Sequence, residues 1–470
     1  MSKDSKEKNS VKDLKKSLFY NKKNAYQILK DDEIKKINKF SEGYKSFLDA
    51  SKTEREACEF AVEAARDNGF KEYKRGMKLK AGDKIYVNNR GKAVILAVIG
   101  TDDISDGLRI CAAHIDSPRL DLKQCPVYED SELALFKTHY YGGIKKYQWT
   151  TVPLSLHGVL VKSDGSKITV NIGEDPEDPQ FVVNDLLIHL AADQMKKPLM
   201  SAIEGEDLNI LIGSRPFKSD EGSDLVKLNI LNILYEKYGI TEEDFLSAEL
   251  EAVPACKARD IGFDRSMVGG YGHDDRVCAY PALEAILTVE EPEKTSVVVL
   301  TDKEETGSEG NTGLQSSYLR YFISDLASDF GVRDTTVFSN SQCMSSDVNA
   351  GFDPTYPNVM EKMNCAFLNY GVVITKYTGS RGKSGTSDAS AEFTGRIRNL
   401  LNKNNVIWQT GELGKVDCGG GGTVAAYIAN LNIDTIDVGV PVLSMHAPFE
   451  VISKVDVYMA YRAFKVFLED

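Results

Sequence analysis

The 470-residue sequence lacks any apolar run long enough to cross a membrane, because its longest runs, such as residues 93–99, have only the length of a strand. It also lacks the apolar segment of a secretory signal, since the first 16 residues are polar and rich in lysine. We therefore expect a soluble, cytoplasmic protein without a membrane partner.

The eight cysteines include no CxxC pair, which argues against a zinc ribbon or a thioredoxin-type motif. Without a secretory signal, reduced thiols are the expected state of these cysteines. The net charge of −13 argues against nucleic acid as a partner, because binding to phosphates requires a basic surface. The 42% apolar and 27% charged residues are ordinary for a globular protein.

The length favours two or three domains. Residues 1–40 carry twelve lysines and six acids and are predicted to form a mobile or lightly docked N-terminal extension. Residues 122–257 consist of short alternating stretches between turn-rich pieces, which indicates a β-rich domain inserted into a larger one. The larger domain then comprises residues 41–121 and 258–470.

The larger domain alternates predicted strands with predicted helices, which is typical of an α/β sheet. Helices are predicted over residues 41–68, 276–288, 313–328, 423–431 and 455–468. Strands are predicted over residues 85–87, 93–99, 108–113, 296–300, 336–338 and 435–440, the first two forming a hairpin. In such sheets, ligands bind beyond the carboxyl ends of the strands.

Five short stretches carry acidic residues or histidine, and several of them lie just beyond a predicted strand. They are Ala113-His-Ile-Asp-Ser-Pro118, Gly272-His-Asp-Asp-Arg276, Asp302-Lys-Glu-Glu-Thr-Gly-Ser308, Ser345-Ser-Asp-Val348 and Ser444-Met-His-Ala447. A single histidine or acidic pair at such a position is more often a satisfied polar residue or a solvated surface. The combination is more informative than its parts.

Two histidines and three carboxylates at the ends of separate strands suit a pair of divalent cations. One carboxylate must then bridge the two ions and offset their repulsion, while a free carboxylate acts as a base towards water. The Glu304–Glu305 pair fits a division between base and ligand. His273 and Asp275 beside Asp274 are alternative ligands. The same donors suit Zn²⁺, Co²⁺ and Mn²⁺.

From about residue 41 to the C-terminus, the sequence resembles the M18 metallopeptidases, the aspartyl aminopeptidase family, which is related to the M42 and M28 aminopeptidases. The resemblance rests on the five stretches in the family's order, on Tyr141-Gly-Gly-Ile144, Pro153-Leu-Ser-Leu-His-Gly158 and the glycine run at residues 418–423. It implies a mixed-sheet α/β catalytic domain of the zinc-peptidase type with an inserted β-rich dimerisation domain. It also implies a large homo-oligomer, a dodecamer built from dimers.

The resemblance further implies a metallo-aminopeptidase that acts on peptides with a free N-terminus and uses two divalent metal ions, with Zn²⁺ expected. One ion would be held by His114, Asp274 and Asp347. The other would be held by Asp274, Glu305 and His446, so that Asp274 bridges. The remaining roles that the resemblance implies are catalytic: Glu304 as general base, Asp116 as the carboxylate that orients His114, and His189 as an oxyanion-stabilising residue supplied by a neighbouring subunit.

The sequence departs from the family in the segment that sets substrate preference. Members that act on Asp or Glu carry a Gly-x-Val-Ile-Lys pattern, whereas this chain has Gly371-Val-Val-Ile-Thr-Lys376. A shift of one residue along a strand moves a side chain to the opposite face. Either a bulge returns Lys376 to the substrate side, or the enzyme does not prefer acidic N-terminal residues. The Lys145-Lys-Tyr-Gln-Trp149 stretch also differs from the Trp-containing segment of the family.

Two other functional classes fit parts of the pattern. A deacylase, amidase or carboxypeptidase would share the metal residues, and a peptide-binding scaffold would have lost the metals. The glycine run lacks the Lys-Ser/Thr of a phosphate loop and is predicted to approach the substrate with its backbone. Cys418 has no His–Asp context for a nucleophile. His139 and His157 are expected to be satisfied polar residues, and Arg276 a structural one.

Overall fold

In the computed structural model of the chain, residues 11–219 and 221–470 are described. The α-helices are α1 Val11–Leu18, α2 Asp31–Ala50, α3 Glu54–Asp67, α4 Leu199–Ala202, α5 Leu225–Tyr238, α6 His273–Leu287, α7 Tyr318–Asp329, α8 Asp334–Asn340, α9 Ala391–Lys403, α10 Ala425–Ala429 and α11 Lys454–Leu468. Over these ranges, no helix has both the length and the apolar character needed to cross a lipid bilayer.

The strands form three sheets. In chain order they are β1 Lys71–Glu72, β2 Lys84–Asn89, β3 Ala93–Val98, β4 Arg109–His114, β5 Arg119–Asp130, β6 Leu133–Tyr141, β7 Leu154–Val161, β8 Lys167–Ile172, β9 Val182–Val183, β10 Ile210–Gly213, β11 Ala248–Pro254, β12 Arg259–Ile261, β13 Met267–Gly270, β14 Ser296–Thr301, β15 Gln342–Ser345, β16 Asn349–Ala350, β17 Val372–Thr375, β18 Trp408–Thr410, β19 Asp434–Gly439, β20 Pro441–Leu443 and β21 Glu450–Ser453.

The largest sheet has nine strands in the order β1-β2-β3-β14-β4-β15-β19-β17-β18. Its central strands β14, β4, β15 and β19 are parallel, while β2, β3 and β17 introduce antiparallel pairs. Strands β3, β4 and β14 are buried along their whole length, which explains their continuous apolar sequences. The predicted α/β class with a mixed sheet is confirmed, as is the β2–β3 hairpin.

Helices cover both faces of this sheet. Leu96, Cys111 and Val298 pack on one face with α2, α3, α6, α9 and α11. Their chain neighbours Ala97, Ala112 and Val299 pack on the other face with α7, α8 and α10. Successive side chains of a strand point to opposite faces, so each buried strand contributes to two hydrophobic cores.

The second sheet has seven antiparallel strands in the order β8-β7-β11-β5-β6-β10-β9, all between residues 119 and 254. It has its own hydrophobic core, which includes Trp149, Phe136 and Phe245. The predicted β-rich segment thus forms one sheet. Its ends lie within a few residues of the predicted boundaries at 122 and 257.

The third sheet has five strands in the order β12-β13-β21-β20-β16. Strand β13 leads through Gly272 into α6, and β20 leads into the Ser444-Met-His446 turn. Strand β21 pairs with β13 so that Glu450 lies opposite Gly270. This small sheet therefore places the Gly272–Arg276 and Ser444–Ala447 stretches next to each other.

The prediction of a loosely attached extension over residues 1–40 is wrong for its second half. Helix α2 begins at Asp31, and Ala25 and Ile37 are completely buried in the main core. The lysines and acids occupy the exposed side of this segment and conceal a few apolar residues that pack inward. Helix α1 has no buried residue, and residues 1–10 lie outside the described part of the chain.

Two further secondary-structure predictions are corrected. The helix predicted over residues 41–68 is interrupted between Ala50, where α2 ends, and Glu54, where α3 begins. Thr53 is the N-cap of α3, and its side chain accepts a hydrogen bond from Glu56 N. Residues 336–338, predicted as a strand, lie in helix α8, where Val337 and Phe338 pack against the second core. A short β-branched run does not distinguish a strand from one turn of buried helix.

Candidate metal centre

The carboxyl ends of three neighbouring strands bring the first group of site residues together. His114 ends β4 and pairs in register with Thr301, the last residue of β14. Glu304 and Glu305 follow β14 in a short 3-10 turn, and Asp347 follows β15. Parallel strands end at a common edge, so chain segments far apart in sequence meet there.

The third sheet contributes Asp274 and His446 to the same place. Asp274 Oδ1 lies 3.2 Å from His114 Nε2, and Asp274 Oδ2 lies 3.1 Å from His446 Nε2. The two oxygens of this carboxylate therefore face two different histidines. The peptide bond between Asp274 and Asp275 is cis.

The remaining acids complete the cluster around these three residues. Glu305 Oε2 lies 3.6 Å from His446 Nε2, while Asp347 Oδ1 and Glu304 Oε2 lie 3.9 Å and 4.0 Å from His114 Nε2. All five residues predicted as ligands and the predicted base are thus brought together.

Asp275 also belongs to the neighbourhood of the cluster. His114, Asp274 and Glu305 each place a donor atom within 4.8 Å of the others, and so do His114, Asp275 and Asp347. Asp275 is fully buried, and its burial raises the pKa of its carboxyl group well above the usual range. The alternative ligand recognised in the sequence therefore stays adjacent to Asp274.

The electrostatics of the cluster fit a cation site. Burial raises the pKa of Glu304 to about 7, and burial together with the charge of Asp274 raises the pKa of Glu305 well above its usual range. Burial and the charges of Glu304 and Asp274 raise the pKa of Asp347 likewise. Burial and the mutual repulsion of these acids thus disfavour their ionised forms. A bound divalent cation would offset that repulsion.

The buried polar atoms of the cluster point to the same conclusion. Within the described ranges, the buried Glu305 Oε1 lacks a hydrogen-bond partner, and the buried His114 Nε2 faces Asp274 Oδ1 at 3.2 Å. Although burial opposes ionisation, the close imidazoles of His114 and His446 hold the pKa of Asp274 well below its usual range. An ionised carboxylate between two imidazole nitrogens is a donor set that suits Zn²⁺ and similar ions.

Asp116 connects three parts of the site. His114 Nδ1 lies 3.0 Å from the Asp116 carbonyl oxygen and 3.2 Å from Oδ1. The carboxylate of Asp116 also accepts hydrogen bonds from the backbone N–H groups of Glu304 and Glu305, each at 3.2 Å. Its predicted position beside His114 is observed, and the same side chain also holds the Glu304–Glu305 turn.

Glu450 was not singled out in the sequence, although it lies only four residues beyond His446. Its buried carboxylate accepts hydrogen bonds from the backbone N–H groups of His446, at 2.7 Å, and Asp274, at 3.2 Å. Burial raises its pKa to about 8. A glutamate that begins a strand has no distinctive sequence pattern, and only the pairing of β13 with β21 reveals its position.

A cavity of about 250 Å³ opens beside the cluster. The charged side chains that line it are His446 and the four acids Asp274, Glu304, Asp347 and Asp437. Further lining residues are Val348, Asn349, Thr375, Thr378, Leu413, Thr423, Met445 and part of the glycine run at 420–422. Gly420 (φ +117°) requires glycine, because a β-carbon there would lie 2.0 Å from the Gly379 carbonyl oxygen.

The ambiguity between Thr375 and Lys376 is resolved by the strand register. Residues 373, 374 and 375 pair in succession with Gly439, Val438 and Asp437, so β17 runs without a bulge up to Thr375. Thr375 lines the cavity and accepts a hydrogen bond from Asn349 Nδ2 at 3.0 Å. Lys376 Nζ instead binds Asp388 Oδ1 at 2.5 Å and lines a different surface cleft.

The other residues noted in the sequence lie away from the cluster. His189 is exposed in a 3-10 turn, Ile188–Leu190, and is not among the described residues that line the cavity. His139 is exposed, and His157 is buried between Glu56 and Glu174. Arg276 donates a hydrogen bond to the Lys52 carbonyl oxygen.

The family model described as aminopeptidase I zinc metalloprotease (M18) matches residues 47–468. The match covers both main sheets and every residue of the cluster. The chain belongs to the M18 peptidase family. The predicted family and the predicted class, a metallo-aminopeptidase, are thereby confirmed.

Relatives within M18 cover nearly the whole chain. A probable M18 family aminopeptidase 1 from Clostridium acetobutylicum is 52% identical over 456 residues, 95% of this chain and 98% of that protein. The crystal structure of an M18 aminopeptidase from Thermotoga maritima has a TM-score of 0.91 at 44% identity, covering 96% of this chain and all of that one. A structure described as the S. cerevisiae mApe1 dodecamer has a TM-score of 0.75 at 21% identity, covering 92% and 97%, and shows the fold alone.

Proposed function

We propose that this M18 peptidase hydrolyses the first peptide bond of peptides through two divalent metal ions, most simply Zn²⁺. His114, Asp274 and Asp347 would hold one ion, and Asp274, Glu305 and His446 the other. The observation that carries this assignment is the position of Asp274, whose two oxygens lie 3.2 Å and 3.1 Å from the two histidines. A carboxylate that faces both histidines suits a bridging ligand.

Bound divalent ions supply Lewis-acid chemistry, which polarises a carbonyl group and acidifies water. The protein supplies the base. Glu304 lines the cavity, and its side chain retains 18% exposure, so substrate and water can reach it. We assign it to take a proton from the attacking water and pass it to the leaving amine, because it is the one acid of the Glu304–Glu305 pair that is not assigned to a metal ion.

The acidic surroundings of the cavity suit the free α-amino group of a substrate. An ammonium or amine group close to Glu305 or Asp347 would be favoured by charge, which would restrict cleavage to the N-terminus. The described residues that line the cavity include no lysine or arginine, so an N-terminal Asp or Glu side chain would find no cationic partner there apart from the proposed metal ligand His446. We therefore propose a preference for uncharged N-terminal residues, with Thr375 at the position that selects the side chain.

We also propose a homo-oligomer in which the inserted residues 122–257 form the dimerisation domain. Apolar side chains around His189 are strongly exposed, namely Leu186, Leu187, Ile188 and Leu190. Contiguous exposed apolar residues are typical of a protein interface. Burial of this loop against a second copy would carry His189 towards the neighbouring cavity, where it could stabilise the oxyanion.

The decisive experiment compares the wild type with Glu304→Gln. The variant should retain bound metal, measured by elemental analysis, and lose about 10²–10⁴-fold in kcat towards aminoacyl p-nitroanilides. Wild-type activity in Glu304→Gln would refute the base assignment. Hydrolysis of N-acylated amino acids in preference to aminoacyl p-nitroanilides would indicate a deacylase instead.

The assembly is tested separately. Light scattering of the wild type should give a mass well above that of one chain, and Leu187→Asp should lower it. His189→Ala should retain the mass of the wild type while kcat falls. A monomeric, fully active wild type would exclude a catalytic His189 from a neighbouring subunit.

A further inference from the structure

Three consecutive residues that end β6 and follow it, Tyr141, Gly142 and Gly143, extend from the second sheet to the metal centre. We call these three residues the brace. Tyr141 is the last residue of a strand of the inserted sheet and the two glycines follow it, whereas the residues of the metal centre lie on or just beyond elements of the other two sheets. Each residue of the brace lies against a different residue of the site. The segment therefore offers more than a connection between elements.

Tyr141 contacts the side of the centre that contains His114. Its hydroxyl group donates a 2.7 Å hydrogen bond to Asp116 Oδ2, the carboxylate that also contacts His114 and accepts from the Glu304 and Glu305 backbone. The guanidinium group of Arg119 lies 3.9 Å from the centre of the Tyr141 ring and fixes the ring from its face. The orientation of Asp116 thus depends on a hydroxyl group from the second sheet.

Gly142 and Gly143 contact the opposite side of the centre. A β-carbon at Gly142, which has φ of +77°, would lie 3.1 Å from Glu305 Oε2. The Gly143 carbonyl oxygen lies 2.7 Å from His446 Nδ1, which leaves Nε2 directed towards Asp274. A carbonyl oxygen accepts only from an N–H, so this contact keeps a proton on Nδ1 and makes Nε2 the nitrogen that serves as the ligand atom once it is deprotonated.

We propose that the brace is a positioning element of the metal centre, which orients Asp116, Glu305 and His446 from the inserted sheet. The proposal rests on the proposed metal ligands. It assigns the β-rich insertion a role in catalysis that is independent of any contact between subunits. Displacement of the inserted sheet would alter the ligand geometry on both sides of Asp274 at once.

The first test removes one hydrogen bond. Tyr141→Phe deletes only the hydroxyl group that holds Asp116, and Tyr140→Phe deletes the hydroxyl group of the neighbouring, 40% exposed tyrosine. Loss of a group that supports a metal ligand typically costs 10–100-fold in metal affinity or activity. We expect Tyr141→Phe to lower kcat/KM by about that factor, and Tyr140→Phe to match the wild type.

The second test perturbs the other side. Gly142→Ala introduces a methyl group against Glu305, together with the strain of a positive φ. Gly165→Ala is the matched control, because Gly165 has φ of +83° in the turn between β7 and β8, and no described atom beyond its chain neighbours lies within 4 Å of its would-be β-carbon. The control therefore measures the effect of an alanine at a positive φ separately from the effect of the contact with Glu305.

The informative measurement is spectroscopic. Each variant is loaded with Co²⁺, and its visible absorption spectrum and its rate of metal loss to a chelator are recorded along with its melting temperature. We expect altered spectra and about tenfold or greater acceleration of metal loss in Tyr141→Phe and Gly142→Ala, and unchanged values in both controls. A purely structural role would lower the melting temperature and leave the spectrum unchanged.

The possible failures can be told apart. If the wild type is metal-dependent and both brace variants share the spectra and metal-loss rates of their controls, the brace has no positioning role and the proposal is overturned. If the wild type takes up no Co²⁺ and is indifferent to chelation, the proposed function itself fails, and the brace fails with it.

Discussion

The backbone N–H of His446 donates a 2.7 Å hydrogen bond to Glu450 Oε1. The other oxygen of Glu450 accepts from the backbone N–H of Asp274 at 3.2 Å. One carboxylate thus fixes the main chain at two proposed metal ligands whose side chains lie 3.1 Å apart. The third sheet therefore positions this side of the centre through hydrogen bonds to the backbone of both residues.

Glu450→Gln should weaken the second metal site. The glutamine oxygen can accept from only one of the two N–H groups, and its NH₂ group then faces the other donor unfavourably. We expect metal affinity to fall by about 10–100-fold, measured by competition with a chelating dye. Glu59→Gln, an exposed substitution on α3, serves as the control. Equal affinities in the two variants would contradict a positioning role for Glu450.

Thr375→Lys should shift the substrate preference towards acidic residues. The new ammonium group would project into a cavity whose charged side chains are otherwise four acids and His446, where it can pair with a substrate carboxylate. We expect the ratio of kcat/KM for Asp over Leu p-nitroanilides to rise by about tenfold or more. In Lys376→Ala the ratio should stay unchanged, because Lys376 faces a different cleft. If the Asp/Leu ratio changed in Lys376→Ala and not in Thr375→Lys, Lys376 and not Thr375 would be the residue that selects the substrate side chain.

Metal binding should release protons. The nearby charge of Asp274 outweighs burial and raises the pKa of His446 to about 10, while burial raises the pKa of Asp347 well above its usual range. Both groups therefore hold protons at neutral pH and must lose them to become ligands. Affinity should rise with pH. Calorimetric titration of Zn²⁺ at one pH, in two buffers of different ionisation enthalpy, should give different heats, and equal heats would count against the ligand set.

His157 should make stability depend on pH. It is buried between Glu56 and Glu174, with ring nitrogens 2.7 Å and 3.2 Å from their carboxylates. Burial lowers the pKa of His157, but the two glutamates outweigh it and raise the pKa above its usual value. A raised folded-state pKa gives a stabilisation that is complete below the unfolded pKa and is lost as the pH rises through the folded one.

His157→Gln should therefore destabilise the protein by about 2 kcal/mol at pH 6 and by less at pH 9. Urea unfolding at both pH values measures the difference. His139→Gln, an exposed histidine of the same sheet, should change stability little at either pH. A loss at His157 that is as large at pH 9 as at pH 6 would mean that the ring acts in its neutral form.

Much of the nine-stranded sheet could be predicted from sequence, because its buried strands contain continuous apolar runs that polar residues follow directly. The end of β4 at His114 and the turn at Glu304 are examples. The helical state of residues 336–338 could not be predicted, because three residues are too few to show a helical or strand period. Packing of Val337 and Phe338 against the second core selects helix α8.

By itself, the sequence determined which residue types were available for chemistry and the order in which they occur, since chain order and apolar periodicity are local properties. Tertiary structure alone decided that the two oxygens of Asp274 face His114 and His446, and that Thr375, not Lys376, lines the cavity. It also decided that Glu450 and Tyr141 support the centre. These relationships depend on strand register and on the meeting of three sheets, which bring together residues more than 300 positions apart.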